Sequence, residues 1–424
     1  MRPSQIFRLT NTVQHYAWGS PTAIPELLGV PADGRPVAEM WLGAHALAPS
    51  RCVPQGAGGS AEDLHEGVEP VALPDLVRSA PYTTLGVAVV EEYGPRLPYL
   101  LKVLAADQPL SLQVHPKPHV ARSGFSHENA AGVPLDAPER NYKDDQHKPE
   151  MMLALTPFEG LCGFRRPLRT LQLFDGLDGA LLGSMRDALR ASPDARGVRS
   201  AFELALAARG TDCTQDIETT VASIRARIAR GGAGSRSGVV SRGDYTAVAL
   251  AEHYPGDPGA LVSLMLNRVS LQPGEAVFLA SGEVHAYLSG LGIEVMASSD
   301  NVLRAGLTSK RVDVDALLAC ASYVPRPPER PVVVPGVVGQ TLATYRAPVP
   351  EFSLMYGTVV GDALVAHTGP RIVLCLDGEV VVQSGASTAG PPARLRRGES
   401  AFVPHDAGAV ALRGSGSVVV AYVP

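Results

Sequence analysis

The chain has 424 residues, a net charge of -5, 45% hydrophobic and 19% charged residues. That length exceeds one ordinary hydrophobic core, so two or three domains are expected, and the charge leaves no basic footprint for nucleic acid. No apolar run reaches ~18 residues, and the N-terminus MRPSQIFRLTNTVQHYAWGS lacks a signal core, so neither a membrane nor export is expected. The 43 glycines and 36 prolines point to many turns, as in β-rich folds. Cys52, Cys162, Cys213, Cys320 and Cys375 form no CxxC pair and read as buried or free thiols in a reducing cytoplasm.

Residues 85–115 hold short apolar runs cut by Gly and Pro and read as strands and turns. Ser111, Gln113 and His115 alternate there with Leu112 and Val114, so on a strand the three share one face. Unpartnered polar burial is costly, so such a row is expected to line a polar cavity. Residues 141–150, NYKDDQHKPE, run into Met151-Met152-Leu153-Ala154-Leu155, which reads as a buried strand. A solvated loop accounts for Lys143, Asp144 and Asp145. It does not account for Lys148 and Glu150, two apart at the mouth of a core strand, with Pro149 holding Lys148 extended.

Residues 167–253 are rich in Ala, Leu and Arg and read as helical. Ile217, Val221, Ile224 and Ile228 make one apolar helix stripe, with Thr214 or Asp216 as its cap and Gly231-Gly232 as its stop. GGAGSRSG at 231–238 reads as a flexible loop. This block interrupts a β-domain that resumes at 262–296. There, Gly274, Gly282 and His285 resemble the second cupin motif, with Ala280 and Ser289 replacing its Pro and Asn.

An 18-residue unit occurs twice. LQPGEAVFLASGEVHAYL opens at Leu271 and LRRGESAFVPHDAGAVAL at Leu395. Without gaps, Gly274 falls on Gly398, Glu275 on Glu399, Phe278 on Phe402 and Leu288 on Leu412, whereas His285 falls on Ala409. Two similar β-barrels are expected, one of them chemically equipped. Between them VPRPPERPVVVPG (324–336) reads as a linker without regular structure. Asp377-Gly378, between two β-branched runs, reads as a hairpin turn.

His115 and His285 on inward-facing strands, with the Glu150 carboxylate, make a two-nitrogen, one-oxygen metal set, to which Gln113 can add an amide oxygen. Zn²⁺ accepts such ligands and keeps positions open for water or substrate. Of the other nine histidines, all but His147 lack a comparable context.

Tyr142 to Glu150 matches the signature Tyr-x-Asp-x-Asn-His-Lys-Pro-Glu of the type I mannose-6-phosphate isomerase family, with Gln146 in place of Asn. HYAWGS (15–20), EMWLGAHALAPS (39–50), PLSLQVHP (109–116), HAYLSG (285–290) and SDNVLRAGLTSK (299–310) follow that family in order. The sequence therefore resembles this family over residues 10–310. The resemblance implies a mainly β fold with an α-helical insertion: two cupin-like jelly-roll β-barrels plus a helical domain. The expected division is 1–165 with 255–323 as the catalytic barrel, 166–254 helical, and 337–424 as a second barrel without metal ligands.

The resemblance also implies one zinc per chain, on Gln113, His115, Glu150 and His285. The implied reaction interconverts mannose 6-phosphate and fructose 6-phosphate through an enediol or enediolate, which needs a base, an oxyanion stabiliser and a phosphate grip. Glu294, Lys148, His147 and Asp300 are the candidates for moving the C2 proton, and His147 also for ring opening. Arg304 matches the family's active-site arginine. Ser111, Lys148, Arg304 and Lys310 are candidate substrate contacts. Two other readings are an isomerase of another aldose or aldose phosphate, favoured if Arg304 and Lys310 lie apart, and a catalytically silent sugar- or metal-binding bicupin. A cytoplasmic monomer is expected, with a dimer as the alternative.

Overall fold

The computed structural model describes residues 5–54, 69–208, 211–231, 240–336, 342–385 and 390–424. Among them lie two ten-stranded antiparallel sheets and a block of helices. The first sheet is organised by one long strand, His285–Ala297. Its first half pairs with Phe158–Phe164, and its second half lies between Tyr99–Ala106 and Glu150–Ala154. A register shift between Tyr287 and Ser289 bends it, as bulges do where a sheet closes.

Side-chain alternation then fixes the architecture. Met40, Leu42, Leu101, Val103, Met151, Leu153, Ile293 and Val295 point one way. They form a single core with Ile372, Leu374, Phe402, Val419 and Ala421 of the second sheet. The residues between them point into the first barrel: Glu39, Trp41, Lys102, Glu150, Glu294 and Met296. The two barrels are thus cemented through the backs of the strands that carry the polar cavity.

The helices Pro167–Phe174, Ala180–Ala191, Ala195–Ala207, Thr211–Ala229 and Arg242–His253 pack on another flank. Ile217, Val221 and Ile224 are buried, as the stripe predicts, in a core that reaches Leu112, Val114, Val284 and Ala286 of the barrel. The cap differs from expectation. The helix begins at or before Thr211, and the Asp216 carboxylate instead accepts from the Ala180 and Leu181 amides, capping a neighbouring helix. The GGAGSRSG loop lies largely outside the described residues.

The repeat is a structural one. Gln272 to Glu275 and Arg396 to Glu399 form the same turn. In each, the Glu amide donates to the first carbonyl at 2.9 Å, and the Glu carboxylate accepts from the first amide at 2.8 Å. Gly274 (φ 86°) and Gly398 (φ 82°) occupy the left-handed position. Each turn leads to a four-residue strand, Ala276–Leu279 or Ser400–Val403, and then a thirteen-residue strand, His285–Ala297 or Val410–Tyr422.

Four local expectations are corrected. Asp377-Gly378 is no hairpin: Arg371–Ser384 is one strand, paired throughout with Val410–Tyr422 and bulged at this point. Gly378 (φ 72°) lies just past the bulge. The start of the 85–115 stretch is helical rather than β: Leu85 ends the helix Pro81–Leu85, and Val87–Tyr93 forms the next. The Pro-rich segment contains a strand, Val332–Val334, paired with Thr344 to Arg346. Finally, Phe7–Thr10 joins the second sheet beside Ser400–Val403 and carries Arg51–Pro54 with it, so the N-terminal segment is shared between the barrels.

Alanine at the two turn glycines separates backbone strain from crowding. A Cβ at Gly274 meets nothing nearer than Tyr356 at 3.7 Å, whereas at Gly398 it comes within 2.9 Å of the Leu27 carbonyl oxygen. Gly274→Ala should cost about 1–2 kcal/mol for the left-handed conformation, and Gly398→Ala about 1–3 kcal/mol more. Urea unfolding midpoints check this; equal losses at both sites would contradict it.

Candidate active site

Three strand ends bring together the buried side chains His115, Glu150 and His285, whose ligand atoms lie within 4.8 Å of one another. Glu150 and His285 each open a strand, and His285 sits opposite Gln113 in the ladder. Both imidazoles are fixed from behind. His115 Nδ1 lies 2.6 Å from the Asn301 carbonyl oxygen and His285 Nδ1 2.9 Å from that of Glu283. A carbonyl only accepts, so each Nδ1 carries the proton and each Nε2 turns a lone pair inward.

Those lone pairs face a carboxylate. His115 Nε2 is 3.1 Å from Glu150 Oε1 and His285 Nε2 is 3.5 Å from Oε2. Both Nε2 atoms are buried without a hydrogen-bond partner among the described residues. Burial, the largest influence, pushes His115 down to about 4 and so keeps it neutral. Burial alone would raise the pKa of Glu150, but the charges and donors around it, the Lys148 ammonium among them, draw it well below the usual carboxylate range. In the neutral tautomers, two nitrogens and an anion aimed at one point fit a divalent cation, and the nitrogen–oxygen donor set suits zinc; with no cation, burial opposes protonation of His285 but the Glu150 hydrogen bond and charge outweigh it and raise its pKa.

Beside this trio opens a cavity of about 730 Å³. Its wall includes Ser111, Gln113, Lys148, Glu150, Glu294, Asp300, Arg304 and Lys310, so seven of the predicted residues join Glu150 there. Lys148 Nζ lies 3.3 Å from Glu150 Oε1. Arg304 pairs with Gln113 in the ladder. The Arg304 charge, and then burial, lower the pKa of Lys310, so the two cations are neighbours. No carboxylate within salt-bridge distance neutralises either among the described residues. Between them Leu307 adopts φ 53°, a left-handed conformation that costs a branched residue about 1–2 kcal/mol.

His147 is the correction. On the extended chain it points opposite to Lys148, and its Nε2 lies 2.6 Å from Glu351 Oε1 of the second barrel. It lines a separate cavity of about 20 Å³. Asp144 is also unlike the solvated residue expected: it accepts from Ser299 Oγ and from the Asp300 and Gln146 amides. The buried Asn301 side chain completes this tie. It donates to the Asp144 and Gln146 carbonyls and accepts from the Lys143 amide. Gln146 acts here through its backbone, while its side chain turns outward to Asp145.

Several cavity residues escaped the sequence reading. Lys102, 6% exposed, stands directly opposite Glu294 in the ladder. Its Nζ is 3.3 Å from Glu294 Oε2, 3.6 Å from Glu39 Oε1 and 4.9 Å from the Trp41 ring. Burial opposes its charge, but Glu39, Glu294 and Glu150 outweigh it and hold the ammonium protonated. Tyr287 donates to Glu294 Oε1 at 2.8 Å. Burial, then the Glu150 charge, raise Glu294 despite Lys102. A lysine inside the apolar run YLLKVLAA was the available signal. His45 was set aside, yet its Nε2 donates to Asp300 Oδ1 at 2.9 Å; its Nδ1, which accepts from the Leu47 amide, fixes that tautomer.

Asn301→Ala removes the anchor of the segment leading to Glu150. Zinc affinity should fall about 10–100-fold, measured by competition with a chelating dye; an unchanged affinity would mean the ligands hold their places unaided.

Residues 6–167 match the family model for the phosphomannose isomerase type I catalytic domain. The chain is 37% identical over 417 residues to the mannose-6-phosphate isomerase of Escherichia coli, covering 98% of this chain and 99% of that one. It is 30% identical over 427 residues to the Homo sapiens protein of that name, covering 95% and 94%. A crystal structure of mannose 6-phosphate isomerase from Salmonella typhimurium bound to fructose 6-phosphate and zinc superposes with a TM-score of 0.84 at 34% identity, covering 99% of each chain.

Proposed function

Since this chain belongs to the type I phosphomannose isomerase family, we infer that it is a zinc-dependent aldose-ketose isomerase interconverting D-mannose 6-phosphate and D-fructose 6-phosphate. The observation that carries this reading is the juxtaposition of the buried His115–Glu150–His285 trio with an uncompensated Arg304–Lys310 pair on one cavity. The first suits a metal and the second a phosphate. His115, Glu150 and His285 would hold the zinc, with Gln113 supplying an amide oxygen. When bound, zinc supplies Lewis acidity toward the sugar's carbonyl and hydroxyl oxygens.

The chain's own groups do the rest. Lys310 and Ser111 take the phosphate, and Arg304, between phosphate and reacting carbons, steadies the charge that grows on oxygen. Glu294 is the base. Glu150 is committed to the metal and Asp300 to His45 at the rim. Glu294 is buried with a raised pKa and is oriented by Tyr287 and Lys102, as a general base should be. It takes the proton from C2, giving the enediolate, and returns it to C1. The Lys148 ammonium gives a proton to O1 and recovers one from O2, so the protons balance. Lys148 is held against Glu150 as a donor, which leaves Glu294 to abstract. No helix of the described residues is long and apolar enough to cross a membrane, and the reading is of a cytoplasmic monomer.

A coupled assay should show turnover of mannose 6-phosphate by the wild type; none would contradict the substrate. Lys310→Met should raise KM about tenfold with kcat kept, as loss of one charged phosphate contact does. Arg304→Met should lower kcat as well. A Lys310→Met enzyme with unaltered KM would place the phosphate elsewhere.

A further inference from the structure

We propose that Glu351, which the second barrel contributes, is a positioning residue for the isomerisation: by holding His147 it fixes the segment that presents Lys148 and Glu150. The inference rests on the functional reading above and extends it to a barrel that carries no metal ligand of its own.

The argument starts from the chain around residues 147–150. Pro149 restricts Lys148 to extended geometry, so His147 and Lys148 project to opposite sides. On one side Lys148 reaches Glu150 inside the substrate cavity. On the other, His147 Nε2 meets Glu351 Oε1 at 2.6 Å, one of the shorter nitrogen–oxygen contacts in the molecule. The carboxylate can only accept, so Nε2 carries the proton. Glu351 is 9% exposed and lies just ahead of the strand Ser353–Val365. That strand begins paired to Tyr422, at the end of the second barrel's long strand. The base of the contact is therefore rigid.

The contact is largely buried, with the His147 and Glu351 side chains 22% and 11% exposed. Tyr93, Pro98 and Ala297 border the contact, together with the polar residues Arg96, Gln146 and Ser298. Burial, with Glu351 and Glu92 adding to it, pushes the Tyr93 phenol up to about 12, so no second anion competes for His147. A charge-assisted hydrogen bond in such a setting is strong and directional. From inside the catalytic barrel the same segment is tied by Asn301 and Asp144. It is thus gripped on both faces. Releasing one grip lets Lys148 drift relative to the sugar oxygens, where an error of about 1 Å can cost 10²-fold.

The test compares zinc-loaded wild type, Glu351→Ala and Glu351→Gln. Alanine removes the acceptor; glutamine keeps an acceptor oxygen at the same reach. Glu351→Ala should lower kcat about 10–100-fold, with a thermal midpoint above the assay temperature. Its zinc should also pass to a chelator several-fold faster. Glu351→Gln should recover most of both properties. The His147→Ala, Glu351→Ala double variant should be no worse than the poorer single one, because the residues act as a unit.

A Glu351→Ala enzyme with kcat and zinc-release rate within twofold of wild type would overturn the proposal. So would glutamine behaving as badly as alanine. An inactive wild type that still loses zinc faster on Glu351→Ala would sink the substrate assignment and leave the positioning role standing.

Discussion

Two imidazole lone pairs aimed at one buried carboxylate are the constraint on which the rest of the molecule depends. Alone, the trio of His115, Glu150 and His285 is a costly arrangement, since the His115 and His285 Nε2 atoms are buried without hydrogen-bond partners among the described residues. The fold holds them there regardless, with the Asn301 and Glu283 carbonyls turning the protonated nitrogens outward. A cation converts that cost into binding energy. The strained Leu307 and the uncompensated Arg304–Lys310 pair are further costs on the same cavity wall, as expected where stability is given up for a ligand.

Strand alternation makes those costs tolerable. Each polar residue of the cavity floor is flanked in sequence by apolar ones: Lys102 by Leu101 and Val103, Glu294 by Ile293 and Val295. Those neighbours bury themselves against the second barrel. The second barrel is built from the same turn-and-strand unit but carries Ala409 where the first has His285. It backs the strands of the polar cavity with apolar surface and, through Glu351, reaches the segment that bears Lys148.

Much of this was legible in the sequence because it rests on local rules. Period-2 alternation put Ser111, Gln113 and His115 on one face, and period-3.6 spacing put Ile217, Val221 and Ile224 in a core. The repeat, aligned on Gly274 and Gly398, foretold two copies of one unit, a glycine turn followed by two strands. What escaped depends on partners far away in the chain. His147 looked like a cavity residue because Lys148 and Glu150 are; only Glu351, 204 residues on, shows which way it faces. Asp144 looked solvated because its partners, Ser299 and Asp300, come from another loop. Asp377-Gly378 has a hairpin's composition, but a continuous partner strand keeps both residues in the ladder, just past a bulge between Cys375 and Asp377. Lys102 went unnoticed inside an apolar run, where a single charge was the more telling clue.

The most direct test is to measure zinc content and mannose 6-phosphate isomerase activity on one purified sample, before and after chelation and again after zinc is restored. The account predicts about one zinc per chain, activity that falls with the zinc, and recovery in proportion to the zinc returned. Activity that survives complete removal of zinc would contradict it, and so would a protein that binds no zinc at all.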